Sequence, residues 1–299
     1  MYMRTATKIW LITLALLLAI TGTYLYQRPA EQQIRISSNP WIGFTPFIYA
    51  QEKGWLNVTP FRFSWLVDLT ENARLYEGGF TKGFTATQYE LLHFNNYQHI
   101  TPIFLIDRSA GADGILSNRP LNELRNMHSE ILVYLELGSL NQDLFSAFVK
   151  ENKLEGLSFT FRNSAQKTIS QLDVKGPPTI IISYAPYMTD LLKHGFMTVA
   201  STQTLKSIFV IDALFIDENI IKGREDDLQR LRNIFDLARN RLAADPHEFY
   251  NVIRSYLEGQ TFEEFMASVP QIEWLNRADP APYVQQFKQQ NIATHRMLQ

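Results

Sequence analysis

Short apolar runs recur along the chain, and each is followed by polar turn residues and then by helix-like spacing of apolar residues. The runs are rich in β-branched and aromatic residues, which is typical of strands buried in a sheet. Because strand, turn and helix alternate in this order, the pattern predicts an α/β fold. The clearest predicted strands are residues 34–38, 100–106, 131–135, 179–183 and 208–216, and weaker runs lie at residues 61–66 and 157–161.

Capping residues and apolar spacing indicate where helices begin. Thr87 and Ser139 are each followed three residues later by Glu or Gln, the capping-box pattern that satisfies the first backbone N–H groups of a helix. Thr261 begins a third pattern of this kind. Over residues 224–243 the apolar residues alternate spacings of three and four, which predicts a long amphipathic helix. The last third of the chain is therefore predicted to be mostly helical.

Two extended segments, residues 114–120 and 204–212, are predicted to carry the chain between two lobes. A chain of 299 residues is long enough for two lobes with separate cores. We therefore expect residues 30–115 and 210–299 to form lobe I and residues 116–209 to form lobe II. The two crossings between the lobes would then act as a hinge.

Residues 9–26 are uncharged and mostly apolar, and they follow the basic residues Arg4 and Lys8. This length nearly reaches that of a membrane span, and no Ala-x-Ala cleavage site is visible. Residues 1–29 are therefore predicted to be a signal anchor or, as the alternative, a signal peptide. Because basic residues before a span stay in the cytoplasm, the rest of the chain is expected to be periplasmic and anchored to the inner membrane.

Composition and motifs exclude several classes of function. The formal net charge is −2 and no long Lys or Arg run occurs, so the chain lacks the basic face that nucleic acid requires. The absence of cysteine excludes disulfides, thiolate metal sites, a cysteine nucleophile and a lipid-modified cysteine. No histidine pair has ligand-like spacing, and no phosphate-binding loop or nucleophile elbow occurs. We therefore expect a protein that is not an enzyme and holds no metal or cofactor.

The turn after the first predicted strand is the most informative segment. Thr45 is suited to cap the helix that follows, Pro46 suits its first turn and Gly54 suits its end. Backbone N–H groups at this helix start are therefore predicted to face the turn, where a ligand oxygen can accept their hydrogen bonds.

Polar side chains at predicted strand ends are the first candidates for a binding site. They are Ser38, Asn39, Thr85, Thr87 and Ser139. Each lies beside a helix start, where backbone N–H groups favour an anion. Each also suits a purely structural capping role, because every helix needs caps. Ligands of open α/β sheets bind beyond the carboxyl ends of strands, so a binding role would place these side chains around one cleft.

Trp41 and Tyr184 lie in predicted turns and are candidates for the apolar walls of the same pocket, although core packing fits them equally well. Asp107 closes a predicted strand and could receive a ligand amine. The same carboxylate could instead pair with Arg108 or hold the turn, and the sequence favours this structural role.

Several blocks of the sequence resemble one family of type II periplasmic binding proteins, those for nitrate, sulfonates, taurine and thiamine precursors. The blocks are the Trp41-x-Gly43-x-x-Pro46 turn, the Asp107-to-Asp113 segment, the Gly138-Ser139 helix start, the Tyr184-x-Pro186 turn and the Asp212-x-Leu214 strand. They follow the family's order over about residues 34–216. The resemblance implies a two-lobed periplasmic-binding-protein type II fold whose cleft closes on a small molecule.

The same resemblance implies an extracytoplasmic solute-binding protein that delivers its ligand to the permease and ATPase of an ABC importer. The expected ligand is a sulfonate or taurine-like anion, or a thiamine-pyrimidine-like compound. One alternative is a membrane-anchored sensory receptor that uses the same cleft to signal. A third hypothesis, a thiamine-pyrimidine synthase-like enzyme, is disfavoured because such enzymes depend on a cysteine-rich segment, and the chain has no cysteine.

Overall fold

The computed structural model describes residues 33–66, 71–95 and 97–298. The strands are β1 (Ile34–Ser38), β2 (Phe61–Trp65), β3 (Gly83–Thr87), β4 (Ile100–Ser109), β5 (Asp113–Ser117), β6 (Ile131–Leu135), β7 (Phe159–Asn163), β8 (Thr179–Tyr184), β9 (Met197–Ser201), β10 (Ile211–Asp217) and β11 (Ile272–Trp274). The α-helices are α1 (Thr45–Glu52), α2 (Glu71–Glu77), α3 (Gln88–Leu91), α4 (Leu121–Arg125), α5 (Leu140–Asn152), α6 (Gln166–Ile169), α7 (Tyr187–Lys193), α8 (Glu218–Ile221), α9 (Glu225–Ala244), α10 (Pro246–Ile253), α11 (Phe262–Ser268) and α12 (Ala281–Gln289).

Six strands form the first sheet, in the order β11-β4-β10-β3-β1-β2. β1 runs parallel to β2 and β3, whereas β10 runs antiparallel to both of its neighbours, β3 and β4. Because β10 is reversed, its first residues lie at the same edge of the sheet as the last residues of β3 and β4. This placement gathers three strand ends at one edge.

Five strands form the second sheet, in the order β7-β6-β8-β5-β9. β6 runs parallel to β7 and β8, and β5 runs antiparallel to β8 and β9. The beginning of β5 therefore lies beside the end of β8. The two mixed sheets with their helices confirm the predicted α/β class.

The chain leaves the first sheet after β4, enters the second at β5, and returns between β9 and β10. Residues 110–112 and 202–210 make these two crossings. The hydroxyl of Thr202 hydrogen-bonds to the hydroxyl of Ser109 at 2.7 Å and accepts the backbone N–H of Gly111 at 2.9 Å. Side-chain hydrogen bonds thus tie the two crossings together.

The first crossing precedes the position predicted for it, because residues 113–117 of the predicted segment 114–120 and its approach form β5. The predicted lobe boundary at residues 115 and 116 falls inside this strand. The second predicted crossing, residues 204–212, overlaps the observed one and ends within β10. The division into lobe I and lobe II remains a prediction.

Most predicted strands are present with shifted ends. Residues 34–38 and 131–135 match β1 and β6 in full, and the other predicted runs overlap β2, β4, β7, β8 and β10. The sequence did not indicate β3, β5, β9 or β11. β3 and β5 are buried at all five positions although each carries small or polar residues, so their burial comes from neighbours on both sides rather than from a long apolar run.

The helix starts follow the capping predictions with two differences. Thr87 and Thr261 form complete capping boxes, and the long amphipathic helix is present as α9. Ser139 caps α5 through the backbone N–H of Asn141, while the Gln142 side chain accepts from Gly138 instead of completing the box. The predicted cap at Thr45 is wrong. A 3-10 turn runs directly into α1, and the Thr45 hydroxyl donates back to the carbonyl of Ile42 at 2.6 Å.

The predicted N-terminal segments, residues 1–29 and the apolar stretch 9–26 within them, lie outside the described residues. In the ranges that are described, no helix has both the length and the apolar character needed to cross a bilayer. The segment Ile34–Gln299 forms one compact unit.

Aromatic rings dominate the core between the first sheet, α1 and α9. Phe47 of α1 is fully buried, with its ring 4.4 Å from the ring of Phe63 and 4.8 Å from that of Phe235. Such ring pairs add stability beyond the apolar area that they bury. The packing fixes α1, and with it the turn that precedes this helix.

We predict that Phe47→Ala lowers the free energy of unfolding by about 3–5 kcal/mol, because truncation leaves a cavity among the packed rings. The matched control is Phe80→Ala, since the Phe80 side chain is 67% exposed and surface changes stay within about 0.5 kcal/mol. Denaturant unfolding of the full-length variants measures both values. Equal losses in the two variants would contradict this assignment of the core.

Candidate functional site

One edge of the first sheet carries a row of three polar residues. Asp212, near the beginning of β10, pairs with Thr87 at the end of β3 and with Asp107 near the end of β4. All three side chains are buried. Reversal of β10 therefore places two carboxyl groups side by side at the strand ends, in a position from which water is largely excluded.

The second sheet contributes a matching pair. Asp113, the first residue of β5, pairs with Tyr184, the last residue of β8. The ring of Tyr184 meets the ring of Trp41 edge to face, with 6.0 Å between centroids and 67° between planes. Trp41 belongs to the turn after β1, so this contact joins elements of both sheets.

Three neighbours hold the Trp41 side chain. Its backbone N–H donates to Oδ1 of Asn39 at 3.2 Å, and its indole N–H donates to Oδ1 of Asp107 at 3.4 Å. A Cβ atom at Gly43 would lie 2.5 Å from Cγ of Asp107 and 2.9 Å from the indole nitrogen. Only glycine therefore lets the turn pass this close to the tryptophan and the aspartate.

The capping box of α3 fixes another carboxyl group. Oγ1 of Thr87 accepts the backbone N–H of Glu90 at 3.1 Å, and Oε2 of Glu90 accepts the backbone N–H of Thr87 at 2.9 Å. The Glu90 side chain is buried. The capping interaction thus holds the Glu90 carboxyl beside the polar row of the first sheet.

These elements enclose a small inner cavity between the two sheets. Its volume is about 20 Å³, which is room for about one water molecule. The lining residues are Asn39, Trp41, Phe44, Thr87, Glu90, Asp113, Leu140, Tyr184 and Asp212. Three carboxyl groups and two large aromatic rings therefore meet in one enclosed space.

A larger outer cavity of about 380 Å³ adjoins the inner one, and Glu90 lines both. Its other lining residues are Ala73, Arg74, His93, Phe94, Glu136, Leu137, Gly138, Asn163, Ser164 and Ala165. The charged groups of the two cavities differ, because Arg74 and His93 lie only in the outer wall.

The structure brings together four of the predicted site residues, since Asn39, Trp41, Thr87 and Tyr184 all line the inner cavity. Asp107 lies next to them as the acceptor of the Trp41 indole and is not part of the lining. Its predicted ion pair does not form, because Arg108 pairs with Glu273 instead.

Three other predicted residues have internal partners outside the lining. Ser38 and Thr85 hydrogen-bond to each other at 2.6 Å across β1 and β3. The Ser139 hydroxyl donates to the carbonyl of Glu136 at 2.8 Å and accepts from the backbone of Asn141 at 3.3 Å. These contacts are the structural roles that the sequence left open for them.

Five lining residues were not predicted as site residues: Phe44, Glu90, Asp113, Leu140 and Asp212. Asp212 did carry a signal, because it is a carboxylate inside an otherwise apolar strand, and buried carboxylates are rare. The capping-box pattern explained Glu90 locally and so concealed its second position at the cavity.

Burial raises the pKa of every carboxyl group in this region, because loss of hydration disfavours the charged form. The pKa values of Glu90 and Asp113 rise to about 7, and that of Asp107 rises to about 8. Burial and then the charge of Asp107 raise the pKa of Asp212 well above its usual value. The carboxyl groups therefore tend to hold their protons near neutral pH.

The neighbouring titratable groups reinforce this pattern. Burial, followed by the charge of Glu136, raises the pKa of the Tyr184 hydroxyl well above 10, so the ring stays neutral. The positive charge of His93 only partly offsets the effect of burial on Glu90. The pKa of His93 is itself raised, chiefly by its hydrogen bond with Asp143.

Two buried polar atoms at the inner cavity have no hydrogen-bond partner within the described part of the chain. They are Oδ2 of Asp113 and Nδ2 of Asn39. Buried polar atoms in folded proteins are usually hydrogen-bonded. An acceptor and a donor are thus available to a molecule that enters the cavity. Across residues 33–66, 71–95 and 97–298, no cluster of three or more His, Asp or Glu side chains is arranged to hold a metal ion.

We predict that Gly43→Ala destabilises the protein by about 1–3 kcal/mol, because the new methyl group must displace Asp107 or the Trp41 ring. Gly156→Ala is the matched control, since no atom lies within 4 Å of a Cβ at that position. Thermal unfolding and tryptophan fluorescence measure the two effects. An unchanged emission spectrum and unfolding midpoint for Gly43→Ala would contradict the close approach of the turn.

We also predict that the unfolding midpoint temperature falls as the pH rises from 5 to 8. The folded pKa values of about 7 to about 8 exceed the unfolded value of about 4, so the folded state binds more protons across this range and loses stability as they dissociate. Asp212→Asn should flatten the dependence, while the exposed control Asp226→Asn should retain it. A midpoint that rises with pH in all three proteins would contradict the raised pKa values.

No protein-family model matches the sequence, and no curated protein matches it. The fold does match solved structures. The ligand-binding component of an ABC-type import system from Staphylococcus aureus, solved with zinc bound, is 13% identical with a TM-score of 0.67, over 87% of this chain and 92% of that one. The aliphatic sulphonate binding protein SsuA from Escherichia coli is 11% identical with a TM-score of 0.65, over 87% and 88%.

The desulfurization enzyme DSZB matches in the same way, at 12% identity and a TM-score of 0.61, over 87% of this chain and 92% of that one. Identities this low establish the fold alone. The fold implied by the sequence blocks is confirmed: the chain has the periplasmic-binding-protein fold.

Proposed function

We propose that the protein is an extracytoplasmic solute-binding protein that captures a small organic molecule and delivers it to an ABC importer. The observation that carries this proposal is the inner cavity, which is lined from both sheets, with Trp41 of one half meeting Tyr184 of the other. A molecule in this cavity contacts both halves only when they are close together. Binding therefore favours the closed arrangement.

The proposed motion is a hinge at the two crossings. The first crossing is only residues 110–112, and hydrogen bonds of Thr202 tie it to the second. A rotation confined to so few residues leaves both sheets intact, as in hinge closure of two-lobed proteins. We propose that the sheets and their helices are the two lobes expected from the sequence, with the boundaries shifted to these crossings.

Ion pairs join the two halves outside the inner cavity. Lys193 pairs with Glu264 at 2.6 Å, Lys167 pairs with Glu258 at 3.0 Å, and His93 lies 3.6 Å from Asp143. Each pair has at least one partner that is more than a third exposed, and such pairs contribute only about 0–1 kcal/mol. They can guide closure without making it irreversible, so the bound molecule decides the equilibrium.

The names of the similar structures support solute binding, since one is a component of an ABC-type import system and another binds aliphatic sulphonates. The inner cavity does not suit a sulfonate, because Glu90, Asp113 and Asp212 line it. Of the two ligand classes expected from the sequence, an N–H-rich, pyrimidine-like compound fits this lining better. The anion class would require the carboxyl groups to stay protonated.

A sensory receptor is the second candidate function. Two sequence features favour it: the absence of any cysteine for lipid attachment and the uncharged segment 9–26, which suits a permanent anchor. Deletion of the gene separates the candidates. Loss of growth on one nutrient supports import, whereas loss of a transcriptional or enzymatic response with unchanged uptake supports sensing.

Catalysis is not part of the proposal. The desulfurization enzyme with the same fold shows that this fold can host a reaction. The thiamine-pyrimidine synthase hypothesis requires a cysteine-rich segment that this chain lacks. Absorbance of bound pyridoxal phosphate in the purified protein would revive that hypothesis.

We predict that at least one compound in a thermal-shift screen of amines, pyrimidines, sulfonates and nitrate raises the unfolding midpoint. Trp41→Ala and Tyr184→Ala should each weaken binding of that compound by about tenfold or more, because each removes a wall from one half. Phe80→Ala, which changes an exposed ring, should leave the affinity unchanged. A screen without any stabilising compound, or full affinity in both wall variants, would contradict the proposed function.

A further inference from the structure

The chemistry of the inner cavity indicates the class of the ligand, a step that rests on the proposed solute-binding function. Carboxyl groups of Glu90, Asp113 and Asp212 line the cavity, and a fourth, that of Asp107, lies behind the Trp41 indole. Among the described residues that line it, none is Lys, Arg or His. The lining is therefore acidic and carries no positive charge of its own.

Asp113 has the clearest need for a partner from outside the protein. Its side chain is 4% exposed, and its Oδ2 atom has no hydrogen-bond partner in the described part of the chain. The hydroxyl of Ser109 accepts the backbone N–H of Asp113 at 3.2 Å, which holds the start of β5 in place. An ionised carboxylate at such a depth requires a positive charge or several donors. A charged N–H group supplies both.

The aromatic walls favour the same kind of group. Trp41 meets Tyr184 edge to face, and Tyr184 meets Tyr187 at 5.5 Å with 86° between planes. The faces of aromatic rings attract cations, most strongly where water is excluded. Because Trp41 and Tyr184 come from different halves, a cation between them holds the halves together.

The sizes of the two cavities limit the shape of the ligand. The inner cavity of about 20 Å³ accepts only a compact group, whereas the outer cavity of about 380 Å³ has room for the rest of a small molecule. Glu90 lines both, so one molecule can extend past it. Arg74 and His93 in the outer wall disfavour a second positive charge at the far end.

We infer that the ligand is a small organic cation whose primary ammonium or amidinium head occupies the inner cavity. The head donates hydrogen bonds to Asp113 and Asp212 and lies between the rings of Trp41 and Tyr184. An alkyl sulfonate has no N–H donors and would place its negative charge among three carboxyl groups.

A series of two-carbon probes tests the charge directly. Ethylammonium, acetamidinium, ethanol and ethanesulfonate are similar in size and differ in charge, and isothermal titration calorimetry of the full chain gives their affinities. The two cations should bind about tenfold or more tightly than ethanol and ethanesulfonate. Asp113→Asn should weaken ethylammonium binding about tenfold or more, while Asp226→Asn should not change it.

Proton linkage provides a second test that needs no variant. The carboxyl groups hold protons before binding, so uptake of a cation should release up to one proton. Titrations in two buffers with different ionisation enthalpies measure this release. The affinity for ethylammonium should rise between pH 6 and pH 8, by up to about tenfold per pH unit below the raised pKa values.

The possible failures are distinguishable. Ethanesulfonate or ethanol binding as tightly as the cations, proton uptake on binding, or full ethylammonium affinity in Asp113→Asn would each overturn the cationic ligand. The solute-binding function would still stand if Trp41→Ala abolished whatever binding was found. If no probe and no compound of the wider screen binds, both the function and the ligand class are wrong.

Discussion

Burial of acidic side chains, with no positive side chain in the cavity lining, is the constraint on which the rest of this site depends. Asp212 and Asp107 lie side by side because β10 runs antiparallel between β3 and β4. Two carboxylates this close and this deeply buried cannot both be ionised without a large electrostatic penalty. Their charge must be removed by protons or matched by a molecule that enters, and this requirement links the sheet topology to binding.

The surrounding features maintain this arrangement at little expense of stability elsewhere. Gly43 allows the turn to lie against Asp107, and the Trp41 indole supplies that carboxyl with a donor. The ion pairs between the halves are exposed and weak, so the inner cavity has the largest influence on closure. Similar folds include binding proteins and a desulfurization enzyme, which means that the lining rather than the fold selects the ligand.

The sequence predicted the local parts of this structure better than the long-range parts. Asn39, Trp41, Thr87 and Tyr184 were identified because they follow strand ends, a position that local patterns reveal. Asp212 and Asp113 were missed because their place at the cavity depends on which strands pair, and with what register. Glu90 was missed for the opposite reason, since its local capping role was already a sufficient explanation. The weakly apolar β3 and β5 were missed because burial came from their neighbours in the sheet.

The central claim is that this acidic, aromatic cavity closes on a small nitrogenous cation. Native mass spectrometry of the full chain, purified gently from its own membranes, tests this claim most directly. The account predicts a bound organic compound with a basic nitrogen, which dissociates when the pH is lowered and the cavity carboxyl groups take up protons. A bound sulfonate or other anion that stays in place at low pH would contradict it.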